Sequence, residues 1–123
     1  MIVDDDMRNV YSLASSLRGK NLRIITATDG QEALDELERH PGVDLVLMDI
    51  TMPGMDGHEA MRRIRAQPRF ERLPIIALTA RTMQGERELC LEAGASDYLP
   101  KPVDLSQLVD ALHRSLTRRD PGS

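Results

Sequence analysis

Short apolar runs alternate with amphipathic stretches along the whole chain. Ile2-Val3 is the first run and is very short. Met7, Val10, Leu13, Ala14 and Leu17 then fall at helical spacing over residues 7–18. Leu22 to Ala27 is predicted as a strand. Asp29 to His40 is predicted as a helix, opened by the Asp29-x-x-Glu32 capping pattern and stopped by Pro41-Gly42. Leu45-Val46-Leu47-Met48 is apolar at every position, which suits a strand covered on both faces. A loop rich in Pro and Gly follows, then a helix from about Gly57 that carries Met61 and Ile64. Ile75-Ile76-Ala77-Leu78 repeats the buried-strand pattern. Residues 84–93 form a helix closed by Gly94, a common residue just past a helix end. Tyr98-Leu99 is the last strand. The final helix carries Leu105, Leu108, Val109, Leu112 and Leu116, with Thr117 to Ser123 as a frayed tail.

Five strands alternating with five helices predict an α/β domain with a parallel sheet and right-handed crossovers. In such sheets ligands bind outside the carboxyl ends of the strands. The polar residues at those ends are Asp4-Asp5-Asp6 after the first strand, Asp49 after the third, Thr79 after the fourth and Lys101-Pro102 after the fifth. Taken singly, each reads as a helix cap or turn residue. The set is harder to explain that way, because clustered carboxylates repel one another unless a cation is present. All-oxygen ligands suit Mg²⁺, and the lack of His or Cys in the set disfavours zinc. An aspartate beside Mg²⁺, a lysine and a hydroxyl is equipped to attack phosphorus, with the cations offsetting charge on the group in transfer. Thr79 could then meet the added negative charge with a hydroxyl hydrogen bond.

Composition narrows the reading further. A chain of 123 residues supports one domain, and with aromatics at 2% its core must be built from Leu, Ile, Val, Ala and Met. A net charge of −4 leaves no basic stripe for nucleic acid. No apolar run approaches the roughly 18 residues of a membrane span, so no direct membrane contact is expected. The one cysteine, Cys90, has no internal disulfide partner, which fits a reducing cytoplasm. It reads as a small buried hydrophobe on a helix. His40, His58 and His113 lie on helices or their ends and are expected to be solvated, as are Arg62-Arg63 and Arg118-Arg119. Met48, Met52, Met55 and Met61 read as adaptable packing.

Six segments together resemble the response-regulator receiver family of two-component signalling. They are Val3-Asp4-Asp5-Asp6, Leu45 to Asp49, Met52-Pro53-Gly54-Met55-Asp56-Gly57, Ala77-Leu78-Thr79-Ala80, Ala93-Gly94-Ala95-Ser96-Asp97-Tyr98 and Lys101-Pro102. They stand in the family order at the family spacing and cover nearly the whole chain. The resemblance implies a flavodoxin-like, doubly wound α/β fold with a five-stranded parallel sheet in order 2-1-3-4-5 and five helices on its two faces. The receiver domain would occupy residues 1–119, with 120–123 as a C-terminal tail.

The resemblance also implies roles. Asp49 would be the phospho-acceptor; Asp5 would hold Mg²⁺ directly and Asp4 through water; Thr51 would offer its main-chain carbonyl. Thr79 would be the switch hydroxyl, Tyr98 the switch aromatic and Lys101 the phosphoryl partner, aimed by a cis bond before Pro102. Thr51 and Arg81, two residues beyond Asp49 and Thr79, would border the phosphoryl group and modulate its lifetime. The expected partners are a histidine kinase as phosphodonor, a histidine phosphotransfer protein, and a second copy through helix 4, strand 5 and helix 5.

Residues 4–13 and 83–90 most resemble receivers of hybrid sensor histidine kinases. The shortness of the central first strand further suggests that the natural protein continues upstream of Met1. A stand-alone single-domain regulator is the alternative. A Mg²⁺-dependent phosphohydrolase that forms an aspartyl-phosphate is a distant third, since such enzymes place a second Asp where Thr51 stands.

Overall fold

The computed structural model describes residues 1–17, 24–40, 42–50, 57–79, 85–101 and 103–119. Strand β1 is Ile2–Val3, helix α1 Met7–Leu17, β2 Thr26–Ala27, α2 Gly30–Arg39, β3 Val46–Asp49 and α3 Gly57–Arg65. A 3-10 turn over Pro68–Phe70, which periodicity did not flag, precedes β4 at Ile75–Thr79, α4 at Glu86–Ala93, β5 at Asp97–Pro100 and α5 at Leu105–Arg119. The sheet is parallel throughout and runs β2-β1-β3-β4-β5, as the resemblance implied.

The apolar runs of β3 and β4 are buried on both faces because side chains alternate along a strand. Val46, Met48, Ile75 and Ala77 face one core layer with Ala33 and Leu37 of α2, Ala60, Met61 and Ile64 of α3, and Cys90 and Ala93 of α4. Leu47, Ile76 and Leu78 face the opposite layer with Val10 of α1 and Leu108, Ala111 and Leu112 of α5. Each strand is thus sandwiched between helices, and Met48 and Met61 fill core space as expected. Met52 and Met55 lie outside the described residues.

Several boundaries differ from the periodicity. Of the expected strand Leu22 to Ala27, Leu22 and Arg23 lie outside the described residues, and Ile24 and Ile25 precede a β2 of Thr26–Ala27, whose ladder partner β1 offers only Ile2 and Val3. β5 gains Asp97 and Pro100 by pairing along the length of β4; Pro100 sits at the sheet edge, where its missing N–H costs no ladder bond. α4 runs from Glu86, after Gly85 at φ 97°, and residue 84 lies outside the described residues. α5 continues to Arg119, past Leu116, so Thr117 to Arg119 are helical.

Asp29 caps α2 as predicted, its Oδ1 accepting the Glu32 N–H at 2.8 Å. The Glu32 carboxylate accepts the Thr28 hydroxyl at 2.9 Å. At the end of α4, Gly94 adopts φ 118°, a left-handed conformation that glycine takes without a Cβ penalty. There the Arg65 side chain ties α3 to the loop before β5, donating to Gly94 O at 2.9 Å and Phe70 O at 2.8 Å. Arg62 and Arg63 lie on an exposed face and pair with Glu59.

His58 departs from expectation. Its side chain is only 20% exposed and sits against Glu86 and Cys90, because α3 turns that position toward α4 and not toward solvent.

Candidate functional site

The register of the sheet carries residues from four strands to one edge. Val3 pairs with Met48, Asp49 with Leu78 and Thr79 with Pro100, so Asp4, Asp49, Thr79 and Lys101 emerge side by side. Backbone bonds fix their positions: Asp4 N donates to Ala27 O at 3.0 Å, Ile50 N to Leu78 O at 3.1 Å and Lys101 N to Thr79 O at 2.7 Å. Gly57, which opens α3, packs so tightly beneath this edge that a Cβ on it would lie 2.6 Å from Asp49 O.

The three consecutive acids after β1 are divided among different tasks. Asp4 is fully buried; its Oδ1 accepts the Asp6 N–H at 2.9 Å and its Oδ2 accepts from Asn9 Nδ2 at 3.3 Å. Asp5 is exposed but directs a carboxylate oxygen to the cluster: one oxygen each from Asp4, Asp5 and Asp49 lie within 4.8 Å of one another. Asp6 acts as the cap of α1, accepting Arg8 N–H at 3.0 Å. Its carboxyl is held below the usual carboxylate range, chiefly by that backbone bond.

Lys101 bridges the two buried acids, with Nζ 3.1 Å from Asp4 Oδ2 and 3.3 Å from Asp49 Oδ2. Burial pulls the ammonium toward deprotonation, but the hydrogen bond it donates to Asp4 and the charges of Asp49 and Asp4 outweigh it and raise the lysine above its ordinary value. One ammonium against three carboxylates leaves the cluster short of positive charge, and its donors are all hard oxygens. That donor set fits a Mg²⁺ ion, which favours oxygen ligands and keeps waters.

Thr79 is buried at the end of β4. Tyr98 lies on β5 opposite Ala77, two register positions before the Thr79–Pro100 pair, and is partly buried against the layer of α2, α3 and α4. Its phenol is raised by burial, and further by the neighbouring Cys90 and Glu86. Thr51, Arg81 and Pro102 lie outside the described residues.

The family model for the response regulator receiver domain matches residues 1–113. The chain belongs to that family. This receiver domain is 38% identical over 123 residues to the signal transduction histidine-protein kinase BarA of Escherichia coli K12, covering 100% of the chain and 13% of that protein. It is 41% identical over 121 residues to the response regulator MprA of Mycolicibacterium vanbaalenii, covering 98% of the chain and 51% of that protein. The chain therefore spans about half or less of these relatives.

Among solved structures it resembles the receiver domain of the sensor histidine kinase PA1611 from Pseudomonas aeruginosa PAO1. The two share 41% identity with a TM-score of 0.85 and 94% of each chain covered, and that structure has a magnesium ion coordinated in its active-site cleft. Fold, family and two-component signalling role thus stand as the motifs implied. Sequence reasoning missed Asn9. Its signal is its place five residues after Asp4, within the first turn of α1, which directs it back to the acid.

Proposed function

We propose that Asp49 accepts a phosphoryl group from a phosphohistidine of a kinase, and that Asp4, Asp5 and Asp49 hold the Mg²⁺ that assists it. The observation that carries this reading is the Lys101 ammonium shared between buried Asp4 and Asp49 at 3.1 and 3.3 Å. It leaves a cation beside the oxygen that would attack. When bound, the metal supplies charge neutralisation on the phosphoryl oxygens. An Asp49 oxygen forms the new O–P bond as the N–P bond of phosphohistidine breaks, and the imidazole leaves with that electron pair. Lys101 then exchanges its Asp49 contact for a phosphoryl oxygen. Thr79 and Tyr98 act as the switch pair: the hydroxyl approaches the phosphoryl group and the ring responds, while hydrolysis of the acyl phosphate resets the site. To Thr51 we assign a main-chain carbonyl ligand for the metal, and to Thr51 and Arg81 a part in setting the lifetime of the phosphoryl group.

The donor docks on the exposed start of α1, where Met7 and Tyr11 stand one turn apart and Tyr11 is 68% exposed. From Asp49 the group could pass onward to a histidine phosphotransfer protein. We place the domain in the cytoplasm, within a hybrid histidine kinase, a reading supported by the full-length match to the BarA segment. No helix among the described residues is long and apolar enough to cross a membrane. A dimer through α4, β5 and α5 has support in the exposed Leu89 and Leu91 of α4.

The test is mass spectrometry of the chain after incubation with acetyl phosphate and Mg²⁺. Wild type should gain one phosphoryl adduct that EDTA prevents, and Asp49→Asn should gain none. An undiminished adduct on Asp49→Asn would refute the assignment.

A further inference from the structure

A second constellation of ligand-bearing side chains lies between α3 and α4, separate from the acids at the sheet edge. Cys90 Sγ lies 3.8 Å from His58 Nε2 and 4.0 Å from Glu86 Oε1, and those two atoms are 3.6 Å apart. His58 comes from the first turn of α3, whereas Glu86 and Cys90 sit one turn apart on α4. The three thus converge across a helix–helix seam. A sulfur, an imidazole nitrogen and a carboxylate oxygen form a mixed donor set that favours zinc over magnesium.

We propose that His58, Glu86 and Cys90 form a zinc site that joins α3 to α4. The geometry supports it first. A point equidistant from the three atoms lies about 2.2 Å from each, against zinc bond lengths of roughly 2.3 Å to sulfur and 2.0–2.2 Å to nitrogen or oxygen. A contraction of a few tenths of an ångström in these separations brings the set to a tetrahedral face. The remaining coordination position falls to water, which reaches the site past His58, 20% exposed.

Burial supports it second. The Glu86 side chain is only 8% exposed, on the side of α4 that also carries buried Cys90 and Ala93, and its nearest partners among the described residues are His58 at 3.6 Å and the weakly donating thiol. A buried carboxylate needs a close countercharge, and contacts of this length supply it poorly. A divalent ion in the triangle would supply it.

The experiment uses the whole chain with Mg²⁺ in large excess, so that the aspartate cluster is occupied by the harder ion. Cobalt(II) is titrated in as a spectroscopic stand-in and then displaced with zinc. The expected result is a thiolate-to-cobalt charge-transfer band and the visible bands of a four-coordinate ion, saturating at one equivalent and abolished by zinc. Cys90→Ser should lose the charge-transfer band. His58→Ala should weaken zinc by more than the roughly 10–100-fold that loss of a mere supporting residue costs. Zinc should also raise the wild-type Tm in the presence of Mg²⁺. A cobalt spectrum without a thiolate band overturns the proposal, and so does zinc that Mg²⁺ displaces. The wild-type spectrum decides the matter even if a variant fails to fold. Because the readout is independent of phosphorylation, its failure leaves the Asp49 assignment untouched.

Discussion

Replacing Lys101 by methionine keeps the aliphatic stem and removes the one ammonium that bridges Asp4 and Asp49. At an effective dielectric of about 20, charges at these separations attract by roughly 5 kcal/mol per pair before the lysine's own desolvation is subtracted. Breaking a buried pair from one side costs about 3–5 kcal/mol, because the partner charge stays behind. Lys101 keeps some solvent contact, so the low end applies: about 3 kcal/mol in EDTA. With a denaturant dependence of about 2 kcal/mol per molar urea, the midpoint should fall by roughly 1.5 M.

Magnesium changes the outcome. The ion and the ammonium neutralise the same carboxylates and repel each other, so Lys101→Met should bind Mg²⁺ more tightly than wild type. Saturating Mg²⁺ should then restore most of the lost stability. The assay is urea unfolding of both proteins in EDTA and across a Mg²⁺ series, with Mg²⁺ affinity measured separately. A penalty under about 1 kcal/mol in EDTA, or one that Mg²⁺ leaves unchanged, would refute this account of the site's charge balance.

Gly94→Ala should destabilise the domain by about 3 kcal/mol, from the left-handed φ of 118° and a Cβ that would lie 2.5 Å from Arg65 Cγ, displacing a charged hydrogen-bond donor. In an Arg65→Ala background the same change should cost only about 1 kcal/mol, and strict additivity in the double-mutant cycle would contradict the clash. The raised Lys101 sets an alkaline limit. Folding strengthens its proton binding, so its contribution is fully present below the ordinary lysine value and disappears as pH climbs through the higher folded value. Unfolding measured in EDTA at rising pH should therefore show the gap between wild type and Lys101→Met closing only at the alkaline end; a gap closing near neutrality would contradict the shift.

Local rules settled much of this protein in advance. The all-apolar runs at residues 45–48 and 75–78 read as strands buried on both faces, which the structure realises as Val46–Asp49 and Ile75–Thr79, and strands alternating with helices pair in parallel through crossovers. The same alternation put acids, a hydroxyl and a lysine at the strand ends, where parallel sheets place their chemistry. Local rules could not divide Asp4, Asp5 and Asp6. Each follows the same strand, and their different fates depend on the turn into α1 and on a lysine 97 residues from Asp4. They also misjudged His58, because helical periodicity reports whether a face is apolar and not what a polar side chain meets across a seam. Its neighbours Glu86 and Cys90 lie on another helix, and only the packing of α3 against α4 brings the three within 4.8 Å. Short-range patterns fix which elements form, since propensity and burial act residue by residue. Contacts between distant polar groups follow from register and helix packing, which exist only once the sheet has assembled.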